Sequence, residues 1–202
     1  MRKYALFAIG LLVAILARVF DPNKMPPLLE AAYKGETDTV RRLIDKGADV
    51  NVTLRSDDRT ALMAAAERGH TNIARLLIEK GANVNAARTG YGHRHTALMD
   101  AARTGHTDTA RLLIEHGANI NAASDEGDTA LMVAAWAGST DAVRLLIERG
   151  ADLDAINKNG RSALMQADCM GHTDIVNILK AAGAKDLDTK PKPACNAGST
   201  SK

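Results

Sequence analysis

The chain has 202 residues, 46% hydrophobic but only 3% aromatic, with 26 Lys and Arg against 24 Asp and Glu. No dense Lys/Arg run occurs and no aromatic residues alternate with basic ones, which argues against a nucleic-acid partner. An elongated core built from Leu, Ile, Val, Ala and Met is within reach of such a composition.

Residues 1–20 form the first predicted element. Arg2 and Lys3 precede an apolar run from Tyr4 to Ala17, which Arg18 interrupts and Asp21-Pro22 follow, the charge-then-apolar order of an export signal. Cleavage after Ala17 is one reading, although Ile15 stands where a small residue is preferred. As a helix, Tyr4 to Phe20 would span about 25 Å, so an uncleaved membrane anchor with Arg18 reaching the interface is the other. An apolar helix capping the following unit is a third. The basic start favours an N-terminus in the cytoplasm and the rest of the chain beyond the membrane. This segment carries three of the basic residues and no acidic one, leaving 23 against 24, a net charge of about −1 for the remainder.

From residue 24 to 185 the chain repeats itself. Gly-Ala recurs at Gly47-Ala48, Gly81-Ala82, Gly117-Ala118, Gly150-Ala151 and Gly183-Ala184, with spacings of 34, 36, 33 and 33 residues. The first copy enters at Pro27-Leu28-Leu29. The others open on Thr60-Ala61-Leu62-Met63, Thr96-Ala97-Leu98-Met99, Thr129-Ala130-Leu131-Met132 and Ser162-Ala163-Leu164-Met165. Each opening hydroxyl suits an N-cap, and the glycines at 35, 69, 105, 138 and 171 suit a helix stop. A second helix is predicted from Thr37, Thr71, Thr107, Thr140 and Thr173, with Asp38, Asp108, Asp141 and Asp174 at its positive end. Units that cannot bury a face alone must stack, so this pattern predicts a repeat array that works through a surface. Met63, Met99, Met132 and Met165 hold one register and are expected in the core.

The openings, the Ala pairs such as Ala65-Ala66, Gly69-His70, the Leu-Leu runs and the Gly-Ala endings together resemble the ankyrin repeat over about 160 residues. In the four openings on Thr or Ser, Ala replaces the family's Pro and Met its His. The resemblance implies an all-α solenoid of five helix-turn-helix repeats joined by short β-hairpin-like loops. It also implies a structural use for His70, His106 and His172, and no enzyme activity. It further assigns the variable residues after each Ala pair, Tyr33, Lys34, Glu67, Arg68, Arg103 and Trp136, to a concave binding face. The finger loops would add Asp57, Arg59, Tyr91, His93, Arg94, His95, Asp128, Lys158 and Arg161. Trp136 is expected to be an anchor rather than satellite core. The third finger, eleven residues from Asn85 to Thr96 against nine, eight and eight elsewhere, should project furthest.

Other chemistry is thin. There is no Gly-rich phosphate loop, Gly-x-Ser-x-Gly elbow or His-Glu-x-x-His helix, and His93-x-His95 lacks a third ligand, so no cofactor and no metal are expected. Asp168, standing where other copies place Ala32, Ala66, Ala102 and Ala135, reads as a terminal-repeat substitution. Residues 186–202 read as a flexible tail, and Cys169 could bridge to Cys195 within it or both could remain thiols. The sequence further resembles bacterial exported ankyrin proteins. That implies a protein partner, an envelope enzyme, bound by a chain that is monomeric when unbound, with membrane contact only through the N-terminal segment. It implies either an inhibitor or immunity protein occluding an envelope enzyme or a scaffold or stabiliser of such an enzyme, for example in peroxide defence; a small-molecule or metal-dependent enzyme ranks last.

Overall fold

The computed structural model describes residues 25–89 and 94–186. The N-terminal segment 1–20, the candidate residues Tyr91 and His93, and the tail with Cys195 lie outside them. Among the described residues are ten helices in five antiparallel pairs: α1 Pro27–Lys34 with α2 Thr37–Asp45, α3 Ala61–Glu67 with α4 Thr71–Glu79, α5 Ala97–Arg103 with α6 Thr107–Glu115, α7 Ala130–Ala137 with α8 Thr140–Glu148, and α9 Ala163–Met170 with α10 Thr173–Ala181. First helices pack on first helices along the array, and second helices on second helices.

Local chemistry starts and stops these helices where the sequence signals lie. Thr60 Oγ1 accepts from the Met63 N–H at 3.2 Å, and Thr96, Thr129 and Ser162 serve Met99, Met132 and Met165 in the same way. All four cap residues are buried, so their hydroxyls have no water to fall back on. Thr129→Ala is expected to lower unfolding free energy by about 1–2 kcal/mol in denaturant titration, with Thr129→Ser recovering most of it. At the other end, Gly69 turns with φ +70°, and a Cβ there would stand 2.5 Å from His106 Nδ1. Both the backbone conformation and the neighbouring imidazole therefore require glycine.

Neighbouring repeats are stitched at two levels. His70 Nε2 lies 3.3 Å from the Tyr33 carbonyl oxygen and His172 Nε2 lies 3.1 Å from that of Trp136, while Ser139 Oγ replaces the imidazole by donating to the Arg103 carbonyl at 3.1 Å. The histidines therefore bind repeat to repeat, in keeping with the structural use expected of them. At the base of the fingers an asparagine ladder runs along the array. Asn51 Oδ1 accepts from Asn83 N–H, Asn85 Oδ1 from Asn119 N–H, Asn121 Oδ1 from Asp152 N–H, and Asp154 Oδ1 from Lys185 N–H.

Asp154 ends this ladder with a charge. Its carboxyl is held below the ordinary value of 3.8, first by the Lys185 backbone N–H and then by the Lys185 side chain. A depressed folded-state pKa gives stability that is present above 3.8 and is lost as pH falls through the folded value. Asp154→Asn keeps the ladder bond, and its thermal unfolding should accordingly lose this part of the acid sensitivity.

Leu28, Leu29, Leu62, Met63, Leu98, Met99, Leu131, Met132, Leu164 and Leu179 belong to one continuous apolar cluster. Met63, Met99 and Met132 are fully enclosed, whereas Met165, in the last repeat, is half-buried. Asp168 is exposed, unlike the buried Ala32, Ala66, Ala102 and Ala135, so this Ala position lies at the surface in the last repeat.

Two fingers are minimal hairpins, β1 Thr53–Leu54 with β2 Arg59–Thr60 and β3 Ala87–Arg88 with β4 His95–Thr96, and a single bridge joins Ala123 to Thr129 in the fourth. Adjacent fingers hold each other. Thr89 donates through its hydroxyl to Asp58 and through its N–H to the Asp57 carbonyl. Further along, Asn157 Nδ2 donates to Asp128 Oδ1 at 2.6 Å and Lys158 N–H to the Glu126 carbonyl at 2.9 Å.

Candidate protein-binding groove

Side chains from the fingers reach the first helices, and these contacts define one face. Arg59, on β2, pairs with Glu67 at the end of α3. Glu67 is shared: Arg103 Nη2, at the end of α5, lies 3.6 Å from its other oxygen. Arg68 donates to the Tyr33 hydroxyl and lays its guanidinium 4.1 Å from the Tyr33 ring centroid, with Arg59 at 5.3 Å from the same ring. The structure thus joins Tyr33, Arg59, Glu67, Arg68 and Arg103 into one chain of contacts across three repeats.

Trp136 occupies the register position of Tyr33, Glu67 and Arg103 on α7 and is 47% exposed. It is not core. Met170, on α9, is 39% exposed and stands one repeat further on and one residue later in register. Lys34 lies apart from the cluster, paired within α1 to Glu30 at 2.6 Å. Of the remaining finger residues, Arg94 and Lys158 are exposed and Asp57, Asp128 and Arg161 are half-buried. Asp57 Oδ1 accepts from the Arg59 N–H, and Asp128 is engaged by Asn157. Cys169 is half-buried.

One constellation at this face is not among the candidate residues read from the sequence. Asp100, on α5, has no exposed surface, whereas its equivalents are Glu30, only partly buried in the first repeat, and Ala64, Val133 and Gln166. Arg88 Nη2 from β3 lies 3.3 Å from Asp100 Oδ1, and His95 Nδ1 from β4 lies 3.7 Å from the same oxygen. Both strands of the third finger thereby bring a side chain to one buried carboxylate, with the hydrogen bond supplied by Arg88. A carboxylate within the otherwise apolar opening of an internal repeat was the signal that could have found it.

A buried carboxylate stripped of its partner is costly, whereas removing both members of the pair is not. Arg88→Met should therefore cost about 2 kcal/mol, below the value for a fully dry pair because the guanidinium keeps part of its surface in water. In an Asp100→Ala background the same substitution should cost nothing measurable. A double-mutant cycle by denaturant unfolding checks this.

No group of three or more His, Cys, Asp or Glu side chains is placed to hold a metal ion among the described residues, and no described helix is long and apolar enough to cross a membrane. No curated protein matches the chain. The family described as ankyrin repeats (3 copies) matches it over residues 5–88, 28–124, 87–157 and 122–191. With the paired helices, the hairpin fingers and the one-period stitching already in place, this match identifies the chain as a member of the ankyrin-repeat family and a protein-protein interaction module.

Proposed function

We propose that this protein acts outside the cytoplasm of a bacterium, exported or tethered by residues 1–20, and that it occludes the working surface of an envelope enzyme as an inhibitor or immunity protein. The observation that carries a blocking role is Trp136. A large aromatic side chain, 47% exposed, stands on a stack whose other central positions are filled by buried Ala, Leu and Met. Exposed aromatics of this kind become anchors when a partner removes them from water. The Arg2-Lys3 start and the apolar run after it support delivery across or into a membrane.

The test has three arms. Cell fractionation with mass measurement of the N-terminus reads location and cleavage. Cross-linked capture from envelope extract supplies the partner, and an assay of the purified partner with and without this protein reads the outcome. Inhibition supports occlusion. An unchanged or increased activity, with slower loss of the partner on heating, replaces inhibition by the scaffold or stabiliser reading. Recovery of the protein in the cytoplasm alone overturns the envelope assignment.

A further inference from the structure

The binding face is divided by charge. Over the first three repeats, Arg59 and Arg68 flank the Tyr33 ring, and Arg59 and Arg103 share the Glu67 carboxylate. Three guanidiniums against two carboxylates, Glu67 and the finger residue Asp57, leave a local excess of positive charge on a chain whose remainder after residue 20 is close to neutral. Arg68 is exposed and its plane is fixed by the Tyr33 ring and hydroxyl, so a donor fork is already oriented toward a carboxylate. Beyond it, over the fourth and fifth repeats, the exposed side chains in the same two rows are Trp136 and Met170. Arg88 adds no free charge, being committed to Asp100.

We propose that this groove takes an extended segment of a protein partner bearing two or more carboxylates at one end and a large apolar side chain at the other. The inference rests on the protein-binding reading above and gives it a partner chemistry. Spacing makes it specific. Packed helices lie about 8–10 Å apart, so Arg68 and Trp136, on first helices two repeats apart, are separated by about 20 Å along the array. An extended strand covers about 3.3 Å per residue, which sets the acidic pair and the apolar residue about six positions apart.

Trp136 is the only tryptophan, so its fluorescence reports occupancy of the apolar end directly. The probes are synthetic twelve-residue peptides. One carries Asp-Glu and, six residues on, Phe. A second has Asn-Gln for the acids, a third moves Phe to two residues from the acids, and a single-stranded oligonucleotide serves as the anionic control. Titration of the full-length protein is expected to show fluorescence change and calorimetric binding with the first peptide. Affinity should be at least about tenfold weaker for the second and third, and should fall with added salt.

Arg68→Glu with Arg103→Glu should abolish the preference for the acidic peptide, and the milder Arg68→Gln with Arg103→Gln, checked for an unchanged melting curve, should reduce it. Equal binding of the neutral peptide, indifference to the spacing, preference for the oligonucleotide, or no binding of the first peptide overturns the proposal. The underlying groove reading fails separately, when Trp136→Ala leaves affinity for the captured partner unchanged.

Discussion

Leu131→Ala is expected to destabilise the protein by about 3–4 kcal/mol, the largest stability effect of any substitution considered for this chain. Leu131 lies in α7, has no exposed surface, and belongs to the continuous apolar cluster. Two costs combine there: the transfer free energy of the lost methyl and methylene groups, and the cavity left because stacked helices on both sides cannot close in fully. Position adds a third consequence. A repeat array is held together by nearest-neighbour interfaces, so weakening the fourth repeat loosens its junctions with the third and fifth together. Urea unfolding should show a lower midpoint and a shallower or biphasic transition. Met165→Ala, at a half-buried site in the last repeat, should cost less than half as much. Equal costs at the two positions would refute the central-versus-terminal argument.

Trp136→Ala should behave in the opposite way. Affinity for the partner is expected to fall by about 2 kcal/mol or more, roughly thirtyfold, while stability changes by no more than about 1 kcal/mol. The asymmetry follows from exposure: about half of the indole surface has no protein neighbour to lose. The decisive comparison sets the two variants side by side at a temperature where both remain folded. Leu131→Ala should retain affinity and lose stability, and Trp136→Ala should do the reverse. If Trp136→Ala binds the partner like the parent protein, the face described above is not the binding site.

The periodic part of the structure was legible because it is written redundantly. Thr60, Thr96, Thr129 and Ser162 each cap a helix, the first three are followed at fixed distance by an Ala pair and all four by a glycine, and four copies thus state the same local preference. Agreement between cap chemistry, helix stops and a long-range period leaves few competing folds. The face was legible to the extent that it uses variable register positions, as with Arg59, Glu67, Arg68, Arg103 and Trp136. What could not be read was pairing between positions. Nothing in the order of residues says that Glu67 is shared between two arginines from different repeats, or that Arg68 stacks on Tyr33 from the repeat before. Asp100 was hidden for another reason. It directly follows an otherwise well-behaved opening, Thr96-Ala97-Leu98-Met99, and the partners that give it its role, Arg88 and His95, are fixed by the fold rather than by the order of residues.

The stitching between repeats also governs how quickly the chain can find this fold. Among the described residues, the side-chain bonds that join one repeat to the next close sequence separations of 29 to 38 residues, from Asp128 with Asn157 to Thr71 with Thr109. The loop that must be closed to form a junction is therefore one period long, wherever in the array that junction lies. Loop-closure entropy does not grow with the number of repeats, and mean contact separation stays low relative to chain length. Folding can begin at any adjacent pair and extend outward as a zipper, so an added repeat would lengthen the protein without raising the entropic barrier to its first junction.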